Sequence, residues 1–139
     1  MSEENQSPGG GVTAHLTIPD GRGGEAIDFY KNAFGAQEEM RNLADDGKRL
    51  MHAHLKVNGG SLMLNDDFPE YRKGGEALPP PAGTTLHLHV PDADAVWNRA
   101  LAAGAKVKFP LEDQFWGDRY GQLEDPFGFT WSIGAAKKG

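Results

Sequence analysis

Two stretches decide the fold of this chain: His15-Leu-Thr-Ile-Pro-Asp20 and His87-Leu-His-Val-Pro-Asp92, which are identical at four of six positions. A stretch with helical spacing follows each of them and ends in a Gly-Ala pair, Gly35-Ala36 in the first half and Gly104-Ala105 in the second. Each half then closes with a strand, a tight turn and a second strand. Self-similarity of this kind is typical of a repeated supersecondary unit. The sequence therefore predicts two tandem β-α-β-β-β modules.

The first module is predicted over residues 12–65. Val12–Ile18 alternates apolar and polar residues, as a strand with one buried face does. Glu25–Phe34 has helical spacing, and Gly35 stands where a helix ends. Three further strands are expected at Gln37–Ala44, Arg49–Val57 and Ser61–Asn65. In the middle one of these, one set of alternate residues is apolar and should face the core: Met51, Ala53, Leu55 and Val57.

The second module is predicted over residues 84–134, after a linker at 66–83 that holds four of the nine prolines. Its helix should begin at an Asp92 N-cap and end before Gly104. Its strands are expected at Thr84–Val90, Ala105–Leu111, Arg119–Asp125 and Phe129–Gly134. Residues 1–11 are interpreted as a polar leader and residues 135–139 as a tail. The adjacent carboxylates Asp45-Asp46 and Asp66-Asp67 fall on turns, where solvent would surround them.

Composition excludes several classes of function. Fourteen Lys and Arg against 20 Asp and Glu give a net charge of −6, which disfavours nucleic acid and anionic membrane as partners. No apolar run approaches the ~20 residues of a membrane span. The absence of Cys excludes disulfides, Cys-ligated metal and thiol catalysis. We expect a cytoplasmic protein whose partner is a small molecule.

All the histidines fall on the polar side of their strands. The helix of a β-α-β-β-β unit covers only one sheet face, so two curved sheets side by side would close the other face into a cleft. Alternation places five histidines on that face, His15, His52, His54, His87 and His89. Gln122 and Glu124 share it. For His52 and His54, an exposed outer edge is the alternative position.

The densest aromatic and charged stretch runs from Phe115 to Tyr120. Trp116 could stack on a planar ligand and Arg119 could pair with a carboxylate or phosphate. The alternative is structural, with Trp116 in the core and Arg119 in an ion pair with its neighbour Asp118. Trp97 and Trp131 have the spacing of core residues.

Three motifs carry a resemblance to a known family. The stretch Ala26–Ala36 (AIDFYKNAFGA) resembles the first-helix signature of the vicinal oxygen chelate superfamily, which has the glyoxalase/bleomycin-resistance/dioxygenase fold. Gly117–Gly121 and Asp125–Trp131 look like the ending of its PhnB-like branch. The resemblance covers residues 12–134. It implies an α+β fold of tandem βαβββ modules, forming a curved mixed sheet around a cleft, and a homodimer.

The resemblance also implies positions for a metal site. Metal-dependent members draw ligands from the first and last strands of each module. The first-strand ligand falls on His15 or Thr13, and its second-module equivalent on Thr85 or His87. The carboxylate positions fall near Leu64 and Ser132, and neither residue supplies a carboxylate.

Two small-molecule functions remain open from the sequence, beside a third possibility in which the protein serves only as a dimeric scaffold. The first is a small-molecule-binding protein of unproven catalysis, with ligand-binding residues His15, His52, His54, His87, His89, Trp116, Arg119 and Gln122. The alternative is a metal-dependent lyase, isomerase or dioxygenase. It would hold Zn, Mn, Ni or Fe at a set comprising His15, His87 and Glu124.

Overall fold

The computed structural model describes residues 8–137, which form two compact units. The first unit runs to Lys31 and resumes from Gly35 to Pro79; the second comprises Asn32–Phe34 and the chain from Pro80 onward. Most of the expected linker thus belongs to the first unit. Residues 1–7 of the expected leader and 138–139 of the expected tail lie outside the described residues. Within residues 8–137, no helix has the length and apolarity needed to cross a membrane.

The first unit contains one helix and a four-stranded mixed sheet. Its elements are β1 (Ala14–Ile18), α1 (Gly23–Phe34), β2 (Gln37–Leu43), β3 (Leu50–Val57) and β4 (Gly60–Asp66). The strand order is β1-β4-β3-β2. Strand β1 runs parallel to β4, and the other neighbours are antiparallel. Short 3-10 turns occur at Pro19–Gly21, Pro69–Tyr71 and Lys73–Gly75.

The second unit repeats this topology. Its elements are β5 (Thr85–His89), α2 (Ala93–Ala103), β6 (Lys106–Asp113), β7 (Asp118–Glu124) and β8 (Thr130–Ala136). The strand order is β5-β8-β7-β6, again with the first and last strands parallel. Two βαβββ modules of an α+β fold are therefore confirmed.

The helix ends follow the expected chemistry. The Asp92 side chain accepts a hydrogen bond from the backbone N–H of Ala95 at 3.1 Å and caps α2. Gly35 closes α1 with a φ of 69°, a left-handed conformation that glycine adopts without steric cost. The residue that caps the start of α2 and the residue that ends α1 are therefore the ones that the sequence predicted.

Each sheet has one apolar and one polar face. In the first unit the apolar face is buried and comprises Leu16, Ile18, Leu62, Leu64, Ala53 and Leu55. In the second unit it comprises Leu88, Leu123, Trp131, Ile133 and Ala135. Trp97 of α2 is buried as expected, and a Cβ added to Gly121 would lie 2.7 Å from its ring. Glycine in β7 therefore makes room for a large helix side chain.

The apolar face of β3 differs from the expectation at its first two residues. Met51 is 55% exposed and Leu50 is fully buried. The pairing register shifts here: Asn42 pairs with His52, whereas the next residue, Leu43, pairs with Leu50. Met51 is thus an extra, bulged residue, which reverses the alternation before it.

Several boundaries also differ from the expectation. Val12 is fully exposed and β1 begins only at Ala14. Strand β4 continues to Asp66, one residue past the expected module end. Strand β8 continues to Ala136, so the expected tail is partly sheet. The cross-strand hydrogen bonds extend the strands past the point where the alternation of the sequence stops.

The expectation that Asp66 and Asp67 are solvated is wrong. Asp66 is fully buried and Asp67 is 8% exposed. The Asp66 carboxylate accepts backbone hydrogen bonds from Gly23 and Leu50, each at 2.7 Å. Arg72 holds Asp67 with both nitrogens of its guanidinium fork. Both carboxylates are buried because each has donors to satisfy it.

Candidate functional site

The polar face of the first unit brings two histidines together. Strand pairing places His15 of β1 next to Met63 of β4, and Met63 next to His54 of β3. The rings of His15 and His52 are 5.8 Å apart, edge to face. His15 also contacts Asn65, whose Oδ1 lies 2.6 Å from Nε2.

That contact fixes the proton on the His15 ring. The Asn65 amide nitrogen donates to the carbonyl oxygen of Asp66 at 2.7 Å, which orients Oδ1 toward His15. An amide oxygen can only accept, so His15 Nε2 donates the hydrogen bond. In the neutral ring, the nitrogen with the available lone pair is then Nδ1.

His52 and His54 differ in accessibility. His54 is fully buried, and its Nε2 is 3.0 Å from the Ser61 hydroxyl. The exposed-edge alternative is therefore wrong for His54, because β3 is an interior strand of the sheet. His52 is partly exposed. Burial, followed by repulsion from His15 and His54, lowers the pKa of His52 below 6.5.

The polar face of the second unit is built around His87. Its Nδ1 lies 2.7 Å from the Ser132 hydroxyl on the paired strand β8. The Tyr120 ring stacks on it with a centroid distance of 5.9 Å and an interplanar angle of 21°. The His89 ring is 6.0 Å away. The ring of His87 is thus held by one hydrogen bond and one stacked neighbour.

Tyr120 links His87 to two other expected site residues. Gln122 Nε2 donates to the Tyr120 hydroxyl at 3.0 Å. Trp116 meets the Tyr120 ring edge-on at 5.8 Å and is 52% exposed. The core position considered for Trp116 is therefore wrong. Trp131 is buried at 3% exposure, which confirms its expected core position.

Gly134 gives His87 the space it occupies. Gly134 pairs with His89 and Tyr120 on the neighbouring strands. A Cβ on Gly134 would lie 2.8 Å from His87 Cε1 and 3.2 Å from Nε2. Any larger residue would displace the imidazole, so the position of the ring depends on this glycine.

The environment of His87 favours the neutral imidazole. Burial and the neighbouring His89 lower the pKa of His87 below 6.5, against an opposing effect of Asp118. Near neutral pH its ring therefore offers one donor and one acceptor instead of a positive charge.

Arg119 does not share the face of His87. Residues 118, 120, 122 and 124 of β7 alternate with Arg119, which points to the side occupied by α2. Its Nε and Nη2 bind the two carboxylate oxygens of Asp94 at 2.9 and 3.0 Å, and Nη1 binds Asp113 at 3.2 Å. Its partners are thus Asp94 and Asp113, whereas the sequence suggested Asp118.

The residues of the described chain do not fit a resident metal ion. Across residues 8–137, no three His, Asp or Glu side chains lie close enough together to hold one. The carboxylate positions carry Leu64, which is buried on the apolar face, and Ser132, which is bonded to His87. Glu124 pairs with Thr130, whereas His87 lies beside Ser132, two residues further along β8. The set His15, His87 and Glu124 stays a prediction.

Three residues of the two polar faces were not predicted as site residues: Asn65, Tyr120 and Gly134. Tyr120 could have been found, because it alternates in step with Gln122 and Glu124. Asn65 and Gly134 could not, since their roles depend on which strands are neighbours. Two clefts of about 380 and 190 Å³ also lie in the first unit, and no histidine lines either of them.

Comparison with known proteins supports the repeated architecture. A family model described as Glyoxalase/Bleomycin resistance protein/Dioxygenase superfamily matches residues 13–133. An uncharacterized protein of Mycobacterium bovis, Mb0911c, is 49% identical over 126 residues, which cover 88% of this chain and 81% of that protein.

Solved structures show the same fold. Protein PA1353 from Pseudomonas aeruginosa has a TM-score of 0.75 at 27% identity, over 94% of this chain and 100% of that one. A PhnB protein from Bacillus cereus has a TM-score of 0.71 at 22% identity, over 91% and 100%. The fosfomycin resistance protein FosX of Listeria monocytogenes, solved with Mn(II) and sulfate ion, has a TM-score of 0.68 at 14% identity, over 92% and 93%. The last two likenesses concern the fold alone.

Proposed function

Because this chain belongs to the glyoxalase/bleomycin resistance/dioxygenase superfamily, we propose that it is a small-molecule-binding protein of unproven catalysis. The observation that carries the proposal is the ring cluster of His87, Tyr120 and Trp116, in which Trp116 is half exposed. The exposed face of Trp116 can stack on a planar ligand. The proposed ligand-binding residues of this unit are His87, His89, Trp116 and Gln122. Their counterparts in the first unit are His15 and His52, because the side chain of His54 is fully buried and closed to a ligand.

The charges around His87 define the class of ligand. Its imidazole is neutral near pH 7 because its pKa is lowered. The Arg119 guanidinium is held by Asp94 and Asp113 on the opposite side of the sheet, so it adds no positive charge to this face. We therefore propose a planar, uncharged ligand. It would stack on Trp116 and exchange hydrogen bonds with His87 and Gln122.

Equilibrium binding of neutral planar aromatics tests this proposal. The Trp116→Ala variant should weaken the best binder about tenfold, because base-like stacking on one aromatic ring contributes roughly 1–3 kcal/mol. Tyr71→Ala is the matched control, since Tyr71 is an 81% exposed aromatic of the first unit. Equal losses in the two variants would sink the proposal, as would a ligand set composed of cations alone.

A metal-dependent lyase, isomerase or dioxygenase is the second candidate. The observation in its favour is the pair of His15 and His52 rings at 5.8 Å. The residues at the carboxylate positions, Leu64 and Ser132, count against it because neither supplies a carboxylate. Metal content per chain of tag-free protein, after dialysis against Zn²⁺, Mn²⁺, Ni²⁺ and Fe²⁺ in turn, decides between the two. Stoichiometric metal that is lost in His15→Ala would favour this candidate.

Two finer assignments rest on the sequence motifs. We propose that the chain belongs to the PhnB-like branch, on the basis of the motifs Gly117–Gly121 and Asp125–Trp131. We also propose a homodimer, which light scattering of the purified protein tests directly. The expected cytoplasmic location stays a prediction.

A further inference from the structure

A cleft in the first unit lies at one end of its sheet, lined by residues that follow β1 and β4 and precede β3. It has a volume of about 380 Å³, within the range of pockets that hold small ligands. Its polar walls are Asp20, Arg49 and Asp67, and its apolar walls include Pro69 and Ala77. None of these residues was assigned a role by the sequence or by the proposed function above.

The walls of this cleft are held in place from several directions. The backbone N–H of Asp67 donates to the carbonyl oxygen of Ile18 at 2.9 Å, which fastens the loop after β4 to the end of β1. Arg72 binds the Asp67 carboxylate with two nitrogens and the carbonyl oxygen of Glu76 with two. The segment 67–76 is therefore held in shape by its own hydrogen bonds, and the cleft does not need a ligand in order to form.

The positive charge of Arg49 is already neutralised. Its Nε donates to Asp46 at 2.8 Å, and Nη1 and Nη2 donate to the Glu70 carboxylate at 3.0 and 2.6 Å. Its guanidinium also lies 4.4 Å from the centre of the Phe68 ring. Because two carboxylates and an aromatic face already surround the Arg49 guanidinium, it should bind an anionic ligand weakly.

Asp20 is the lining charge that lacks a partner. Within residues 8–137 its carboxylate makes no hydrogen bond or ion pair, whereas Asp67 is paired with Arg72. Its backbone is left-handed, with a φ of 61° and a ψ of 24°, a conformation that Asp and Asn tolerate better than other residues. The turn between β1 and α1 thus presents an unpaired carboxylate at a preformed cleft.

From these features we propose that this cleft is a binding site for a small organic cation, an ammonium or guanidinium carried on an apolar group. The cation pairs with Asp20, and the apolar part lies against Pro69 and Ala77. A charge-assisted hydrogen bond to a carboxylate is roughly twice as strong as a neutral one. The site is lined by the first unit alone, so it does not depend on the ligand proposed for the face of His87.

Three single-ring probes of similar size and different charge separate this proposal from non-specific binding: benzylamine, benzyl alcohol and benzoate. Backbone amide chemical shifts of the full chain are followed during each titration. Benzylamine should bind with a millimolar dissociation constant and shift Gly21 and Gly75, which also line the cleft. Benzyl alcohol should bind about tenfold more weakly, and benzoate should not bind.

Two variants and one control complete the test. Asp20→Asn keeps a residue that tolerates the left-handed backbone and should weaken benzylamine about tenfold, the fold-change expected for one charge-assisted bond. Ala77→Leu narrows the cleft without changing its charge and should also weaken the binding of benzylamine. Glu112→Gln, on an exposed strand of the second unit, removes the same charge and should have no effect. Equal binding of benzoate, no binding of benzylamine, or an unchanged affinity in Asp20→Asn would each overturn the proposal.

Discussion

The buried carboxylate of Asp66 accepts a hydrogen bond from the backbone N–H of Gly23 at 2.7 Å, although 43 positions separate the two residues. It also accepts one from the backbone N–H of Leu50 at 2.7 Å. The end of β4 thereby holds the first turn of α1 and the first residue of β3. A negative charge at a helix N-terminus is favoured by the helix dipole as well.

Replacing Asp66 by Asn should destabilise the protein strongly. The amide keeps the shape of the carboxylate, but its NH₂ group would face one of the two backbone donors. A lost charge-assisted bond and an unsatisfied buried donor together amount to about 2–4 kcal/mol of unfolding free energy. Urea denaturation measures this loss. Asp45→Asn, on an exposed turn, is the control and should change stability by less than about 0.5 kcal/mol. Equal stability of the two variants would contradict the role given to Asp66.

Gly134→Ala should move the imidazole of His87. The new Cβ would lie 2.8 Å from Cε1, so the ring must shift and lose its contact with Ser132. The ring ¹H and ¹⁵N resonances of His87 report this directly. Gly60→Ala is the control, because its Cβ would meet the carbonyl oxygen of Val57 at an ordinary 3.6 Å. Unchanged His87 resonances in Gly134→Ala would show that the ring is not positioned by this glycine.

His52 and His87 should titrate at lower pH than an unperturbed histidine. NMR should give His52 and His87 pKa values below 6.5, because burial disfavours the charged rings. His15→Gln should raise the pKa of His52, since it removes one of the repelling histidines. A midpoint for His52 at or above 6.5 in the native chain would contradict the description of its surroundings.

The same shifts predict how stability responds to acid. In the unfolded chain these histidines take up a proton near pH 6.5, whereas in the folded chain they take it up at lower pH. The unfolded state therefore binds more protons in the interval between, and stability falls as the pH is lowered through that window. Above pH 6.5 their contribution is fully present. Denaturant midpoints measured from pH 7.5 downward should decline, and less so in a His52→Gln, His87→Gln double variant.

Arg119→Ala should lower the stability of the fold without weakening the binding of the ligand proposed for the face of His87. The guanidinium joins β7 to the first turn of α2 through Asp94, and it lies on the opposite side of the sheet from His87. Arg119→Lys should be intermediate, because a lysine keeps the charge but not the two-pronged geometry. Thermal unfolding and ligand titration separate the two effects. A loss of ligand affinity with unchanged stability would place Arg119 in the binding site instead.

Much of the fold could be predicted from the sequence because its signals are local. The repeated His-Leu-x-x-Pro-Asp stretch marks both modules, and Gly35 and Gly104 mark both helix ends. Alternation along the strands placed all five histidines on the side away from the apolar face. These signals need only neighbouring residues to be read.

The errors arose where distant residues meet. The bulge at Met51 depends on its register with β2, and alternation alone cannot show it. Asp66 is buried because Gly23 and Leu50 supply donors from two other elements. Arg119 has a neighbouring acid in sequence, yet its bidentate partner Asp94 lies 25 positions away. The sequence named these residues without indicating their partners.

Side-chain NMR of the protein with a neutral planar aromatic ligand tests the central claim most directly. The chain has three tryptophans, of which Trp97 and Trp131 are buried and Trp116 is half exposed. Binding should shift the indole N–H of Trp116 and the ring resonances of His87, and leave the indoles of Trp97 and Trp131 in place. A bound ligand that shifts neither Trp116 nor His87 would contradict the account.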